Sequence, residues 1–158
     1  MIPTDPEPVV PVPKSHTNTC IKEEVERRWN LCWNQLQTAR QSRLFWPIIS
    51  KQRTDIIMLC DRRTYSDVVR TFTGHNNMNR HCNLTGETDS AECRLCNEDE
   101  ESSSHLLLDC PALSGVRSTV LGSHTVDAHE FQHLPLDGIR RFISLMRRAL
   151  VDEGLEQI

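Results

Sequence analysis

The sequence predicts a mainly α-helical small domain, stapled by a metal-binding loop and preceded by a flexible proline-rich tail. Three observations carry this expectation. Apolar residues recur at three- and four-residue steps in several segments, and few stretches show the two-residue alternation of strands. Five prolines crowd residues 1–17, where they fix φ and remove backbone donors. Between Cys93 and Cys110, cysteine and histidine fall at the spacing Cys-x2-Cys-x8-His-x4-Cys.

Length and composition set the frame. A chain of 158 residues accommodates one domain, or a small domain with tails. With 37% hydrophobic and 5% aromatic residues, the core has to be concentrated and part of the chain left outside it. The net charge of −4 hides an asymmetry. Residues 1–81 hold 12 Lys+Arg against 8 Asp+Glu, whereas residues 82–158 hold 6 against 14. The basic excess sits between Arg40 and Arg80, with 8 Lys+Arg against 3 Asp, so a nucleic-acid partner is expected there. No apolar stretch is long enough to span a membrane. The opening MIPTDPEPVV has acids and prolines where a signal peptide needs basic and apolar residues. The Asn83-Leu84-Thr85 sequon then reads as chance. Seven cysteines, an odd number, read as thiols free for metal in a reducing intracellular compartment, nucleus or cytoplasm left open.

In chain order, residues 1–17 form the tail, with little to bury. A helical segment with the basic stretch covers 18–81. From about Thr19 to Arg40 the residues Ile21, Val25, Trp29, Cys32, Trp33 and Leu36 make one apolar stripe, expected to pack into a core. Glu23, Glu24 and Glu26 near its start and Arg40 near its end suit the helix dipole. Pro47 ends a short segment. A helix from about Ser50 is expected to bury Ile56, Ile57 and Leu59 or Cys60. Thr64 is the expected N-cap of another, with Val68, Val69 and Phe72 inward and Gly74 as its stop. Residues 75–90 are polar and read as loop or a weak turn of helix. The metal-binding segment spans 82–122. After it, Pro111 starts a short helix through Val116, Val120 and Leu121 that stops at Gly122. Residues 123–158 read as a polar linker and a final amphipathic helix from about Pro135 to Asp152. That helix turns Ile139, Phe142, Ile143, Met146 and Leu150 inward and carries Arg140, Arg141, Arg147 and Arg148 elsewhere.

Zinc takes four thiolate or imidazole ligands in a tetrahedron, and a structural site leaves no open position. Cys93 and Cys96 form a tight pair, since two intervening residues let one turn aim both sulfurs at a point. His105 and Cys110 form the second pair, around a helical turn. Leu106, Leu107 and Leu108 between them tie the site to the core. Cys82, His81 and His75 are spare ligands that could replace His105. A redox role for the Cys-x-x-Cys pair is disfavoured, because no βαβ pattern surrounds it. The run Glu98, Asp99, Glu100, Glu101 reads as a solvated loop tip and not as an active site, because metal-assisted hydrolysis needs carboxylates converging from separate rigid elements.

As a set, these features resemble the C-terminal tail of non-LTR retrotransposon reverse-transcriptase polyproteins, the part that follows their RNase H domain. The matching pieces are the lead-in EPVVPVPKS, the Trp-x3-Trp helix in EVERRWNLCW, the strip RLFWP, and the Thr-Gly-His segment in TFTGHNNMNRHC. The cysteine element CRLCNEDEESSSHLLLDCPAL follows, then Arg117 and Leu121-Gly122. The resemblance covers roughly Pro8 to Gly122. It implies a zinc-binding accessory module touching RNA, DNA, or the polymerase or RNase H part of a parent polyprotein, while the sequence itself carries no reverse-transcriptase motif and no RNase H carboxylate set.

The expected function is therefore a non-catalytic module with Zn2+ held by Cys93, Cys96, His105 and Cys110. Nucleic acid is expected on a strip formed by Lys51, Arg53, Arg62, Arg63 and Arg70. The alternative is a protein-interaction or scaffold module in which the metal only staples the fold. A third reading, a reverse-transcriptase or RNase H fragment, lacks the residues for cleavage.

Overall fold

The computed structural model describes residues 11–152. The bulk of the expected tail, residues 1–10, lies outside the described residues. The chain is mainly helical, and among the described residues the only β pairing is an isolated bridge between Glu92 and Glu100. It divides into two compact units, one up to Leu36 and the other from Gln37 onward.

The first unit is the helix α1 (Lys14–Gln35), which begins earlier than the spacing of its stripe suggested. Pro13 holds the N-cap position in an extended conformation, so the helix starts directly after the last proline, and residues 14–17 belong to it rather than to the tail. The acids of the expected first turn consequently lie mid-helix. Glu24 pairs with Arg27 at 2.7 Å and Arg28 at 2.6 Å, and Arg40 belongs to the next helix. None of the residues of α1 is buried, and Ile21, Val25 and Trp29 are exposed. Core packing of the stripe was thus the wrong expectation. Among the described residues of its unit, no other helix or strand faces it to receive an apolar face.

The second unit opens with α2 (Arg40–Phe45), α3 (Lys51–Met58) and α4 (Arg62–Thr73). Ser50 caps α3 by accepting from the Arg53 N–H, and Ile57 is buried as expected. The helix ends one residue too soon for the rest of the expected face: Leu59 lies beyond it and is 87% exposed, and Ile56 faces out. Asp61, not Thr64, caps α4. Its carboxylate accepts from the backbone of Arg63 and Thr64, while the Thr64 hydroxyl donates to it at 2.6 Å. A carboxylate two residues upstream of Arg63 outcompetes a threonine already inside the first turn. Val68 and Phe72 turn inward, Val69 is half-buried, and Gly74 stops the helix at φ 76°. The left-handed backbone there favours glycine, and a Cβ on Gly74 would also displace the Gln41 side-chain amide, 2.6 Å away at Oε1. Gln41 and Ser42 of α2 donate to the carbonyls of Thr71 and Phe72, fixing the end of α4.

The polar stretch after Gly74 contains α5 (Asn79–Thr85), and Met78 and Cys82 are buried. Next come α6 (Ser103–Leu108), a 3-10 turn at Pro111–Leu113 and α7 (Ser114–Leu121), stopped by Gly122 at φ 87°. The expected linker instead holds a further helix, α8 (Ala128–His133), with a capping box between Asp127 and Glu130. The helix is short and has one large apolar anchor, Phe131, so no periodicity announces it. Phe131 is fully buried, with ring centroids 5.1 Å from Phe45 and 6.0 Å from Phe72. The last helix, α9 (Leu136–Asp152), buries the expected stripe of Ile139, Phe142, Ile143, Met146 and Leu150 and packs on α4 and α7. No helix among the described residues is long and apolar enough to cross a membrane.

Candidate metal centre

Cys93 and Cys96 lie on a short hairpin. The Cys93 N–H donates to the Asp99 carbonyl at 2.7 Å, and the Glu101 N–H donates to the Ala91 carbonyl at 2.7 Å. Asn97 turns the chain at φ 57°, and its N–H donates back to the Cys93 carbonyl. Asparagine tolerates this left-handed conformation better than most residues. The eight-residue spacer is therefore the hairpin's return, ending in the Ser102 cap of α6, whose hydroxyl accepts from the His105 N–H at 3.1 Å. His105 sits on that helix, and Cys110 follows its C-cap Asp109, with the Cys110 N–H donating to the His105 carbonyl at 2.8 Å.

These elements bring Cys93, Cys96, His105 and Cys110 together, their ligand atoms all within 4.8 Å of one another. The Cys96 sulfur is 3.2 Å from His105 Nε2. With metal–ligand bonds of about 2.0–2.3 Å, the edges of a tetrahedral zinc site are roughly 3.3–3.8 Å. The cluster needs only a slight contraction to hold such an ion. Cys93, His105 and Cys110 are buried, and Cys96 is half-buried. The four can hold a metal ion, and a set of three sulfurs and one imidazole suits a borderline-soft one. The spare ligands are not in the cluster. Cys82 is buried elsewhere, its thiol pushed up from the ordinary value chiefly by that burial, while His75 and His81 face each other at 5.4 Å.

The cluster's electrostatics follow from its crowding. The Cys93 thiol is held well below its usual value, first by a hydrogen bond from Cys110 and then, against its burial, by backbone N–H groups of Cys96 and Leu95. Cys110 is pushed up correspondingly. On the outer side of His105, Nδ1 lies 3.2 Å from Asp109 Oδ1 and 3.8 Å from Asp99 Oδ2. The Asp109 distance suits a hydrogen bond but the angle does not, and Nδ1 is buried without a partner. A carboxylate beside the outer nitrogen is the arrangement that orients a metal-binding imidazole.

Two buried charges support the site. Arg117 is fully buried, and its guanidinium donates to the carbonyls of Leu107 at 3.0 Å, Leu106 at 3.1 Å, Cys110 at 3.2 Å and His124 at 2.6 Å. Leu106 and Leu107 are among the last residues of α6, whose carbonyls have no partner within the helix. Burial pushes the Arg117 guanidinium down from its ordinary value, which still leaves it charged. Glu101 is the second charge. It is not part of a solvated tip, as the acidic run suggested, but is fully buried. It accepts from Arg94 Nε at 2.8 Å and Nη2 at 2.5 Å, and from the backbone N–H groups of Arg94 and Asn79, both at 3.0 Å. Glu98, Asp99 and Glu100 are exposed as expected. The odd one out is not marked by sequence; only the inward turn at the end of the hairpin separates it from its neighbours.

The five residues of the expected basic strip fare unequally. Lys51 and Arg53 are on α3. The Lys51 ammonium is paired with Asp55 at 2.7 Å, and Arg53 is half-buried with its guanidinium on the Gln132 carbonyl. Arg62, Arg63 and Arg70 are on α4 and exposed. Compared with protein-family models, with curated proteins and with solved structures, the chain matches none.

Proposed function

We propose that this chain is a non-catalytic, zinc-stapled accessory module that binds RNA or DNA, derived from the tail of a retrotransposon polyprotein. The observation that carries the binding is the exposed row of Arg62, Arg63 and Arg70 on α4, whose opposite face is held in the core by Val68 and Phe72. Such a row can contact phosphates without rearranging the fold. Zinc at Cys93, Cys96, His105 and Cys110 is structural in this reading, because four protein ligands fill its tetrahedron. The absence of catalysis is supported by the carboxylates: Glu98, Asp99 and Glu100 are exposed, and Glu101 is occupied by Arg94. The polyprotein origin rests on the motif set of the sequence.

The test is binding of the zinc-loaded full chain to labelled RNA and DNA oligonucleotides across a salt series. Phosphate contacts release counterions, so affinity falls steeply as salt rises. Arg62→Glu with Arg63→Glu abolishes binding and flattens that dependence. Neutralising Glu98, Asp99 and Glu100 leaves affinity unchanged or raises it; Glu101 is kept, since its loss disturbs the fold. A charge-reversed protein that binds like the original would hand the lead to the second reading. That reading, a protein-interaction module, is favoured by one observation: α1 exposes Ile21, Val25 and Trp29 on a single stripe.

A further inference from the structure

Between α4 and α9 lies an open cleft of about 460 Å³, within the size range of small-ligand pockets. Four arginines line it: Arg63 of α4, and Arg140, Arg147 and Arg148 of α9. Three acids line it too, namely Asp61, Asp67 and Asp152, so the charges differ by one in favour of the cations.

The acids are not equally available to balance the arginines. Asp61 is engaged as the cap of α4, with its carboxylate on two backbone N–H groups and the Thr64 hydroxyl. Asp67 is bound by Arg147, which fixes that guanidinium in the cleft wall. Only Asp152, at the end of α9, remains against Arg63, Arg140 and Arg148. Arg140 is 3.6 Å from Asp137, whose side chain is 90% exposed, so that contact is screened by water. Its Nε is buried without a hydrogen-bond partner. A buried guanidinium N–H without an acceptor is unfavourable, and an anion nearby lowers the cost of holding the charge there. The same acids do not form a cation site: the only convergent metal-type cluster among the described residues is the cysteine and histidine one. The cleft is thus polar, open and weighted towards cations. An apolar ligand does not fit that description, and an anion does.

We infer that this cleft is the phosphate subsite of the module, taking a phosphodiester of a nucleic-acid backbone between Arg63 on one wall and Arg140 and Arg148 on the other. The inference rests on the nucleic-acid reading above and deepens it. The arginine row of α4 continues across the cleft onto α9, so the binding surface spans two helices about 80 residues apart in the chain. Arg147, paired with Asp67 in the cleft wall, is not one of the proposed phosphate contacts.

The experiment uses the zinc-loaded full chain and a fluorescein-labelled single-stranded oligonucleotide, as RNA and as DNA, titrated across a salt series. The α9 double variant Arg140→Gln with Arg148→Gln should lower affinity by about tenfold, and the slope of log affinity against log salt should become shallower by about one phosphate contact. Arg141→Gln, a variant of an exposed residue of α9 that does not line the cleft, should change neither. If the α9 double variant binds like the original while Arg62→Glu with Arg63→Glu abolishes binding, the cleft assignment is wrong and the α4 reading stands. If the original chain binds neither oligonucleotide even at low salt, both fall together. Amide shift mapping on the unaltered protein guards against a variant that fails to fold. The largest changes should fall at residues 61–68 and 140–152, and changes confined to other positions would overturn the assignment.

Discussion

Replacing Arg117 with alanine removes the group that satisfies three buried carbonyls at once, those of Leu106, Leu107 and Cys110. Each buried carbonyl left without a donor costs about 1–3 kcal/mol. Simple addition would give roughly 3–9 kcal/mol, but effects within one network do not add. The space vacated by a guanidinium also admits water, which repairs part of the loss. The His124 carbonyl is only partly buried and can turn to solvent. The expected cost is therefore about 4 kcal/mol, near the top of single-substitution effects and a large share of a total stability of about 5–15 kcal/mol. Arg117→Lys keeps the charge but gathers its donors on one nitrogen, which cannot reach carbonyls spread around the fork; about 2 kcal/mol is expected. Because the Cys110 carbonyl belongs to a candidate metal ligand and those of Leu106 and Leu107 follow another, the alanine variant should also bind zinc about 10–100-fold more weakly. The assay is urea unfolding of the zinc-loaded protein followed by far-ultraviolet circular dichroism, with a competition titration for the metal. An alanine variant within about 1 kcal/mol of the parent, with the same denaturant slope, would show that the carbonyls find other partners and refute the reasoning.

Metal analysis of the purified chain should give about one zinc per molecule, and Cys96→Ser should lose it together with the order of the hairpin; a folded protein free of metal would count against the centre. Since thiolates and a neutral imidazole are the binding forms, acidification should release the ion as protons compete for the four ligands, measurable with a chromogenic chelator. Glu101→Gln should destabilise by about 3 kcal/mol, because Arg94 keeps its charge in a half-buried site, whereas Glu98→Gln should change stability by less than about 0.5 kcal/mol; equal effects would contradict the separate placement of the two acids. Phe72→Ala should cost about 3–5 kcal/mol, and Trp29→Ala should stay within about 0.5 kcal/mol in the same urea assay; a large loss for Trp29→Ala would contradict its exposure.

Short-range chemistry was legible without a structure. The Cys-x2-Cys and His-x4-Cys pairs are each closed by one turn of chain, so their spacing alone says that the ligands can converge. The apolar stripe of α9 is likewise periodic over a single helix, and all five of its named residues are buried. The stop at Gly74 needs only local backbone geometry. Periodicity failed where the answer depended on a partner far away in the chain. The stripe of α1 has the same spacing as a core helix, yet no element among the described residues of its unit covers it, and spacing cannot report that. The acids Glu98 to Glu101 are chemically alike, and only the hairpin decides which of them meets Arg94. Arg117 was visible as a residue of the motif set, but its role required the end of α6 to be placed beside the middle of α7. The cleft between α4 and α9 lies further still from any local signal, because its walls come from segments with their own separate patterns. Sequence determined the longer periodic helices such as α4 and α9, the glycine stop of α4 and the candidate ligand cluster, all governed by neighbours a few residues apart. Tertiary structure alone decided which charges became buried and which arginines came to face one another, because the desolvation and pairing of a charge depend on what is near it in space.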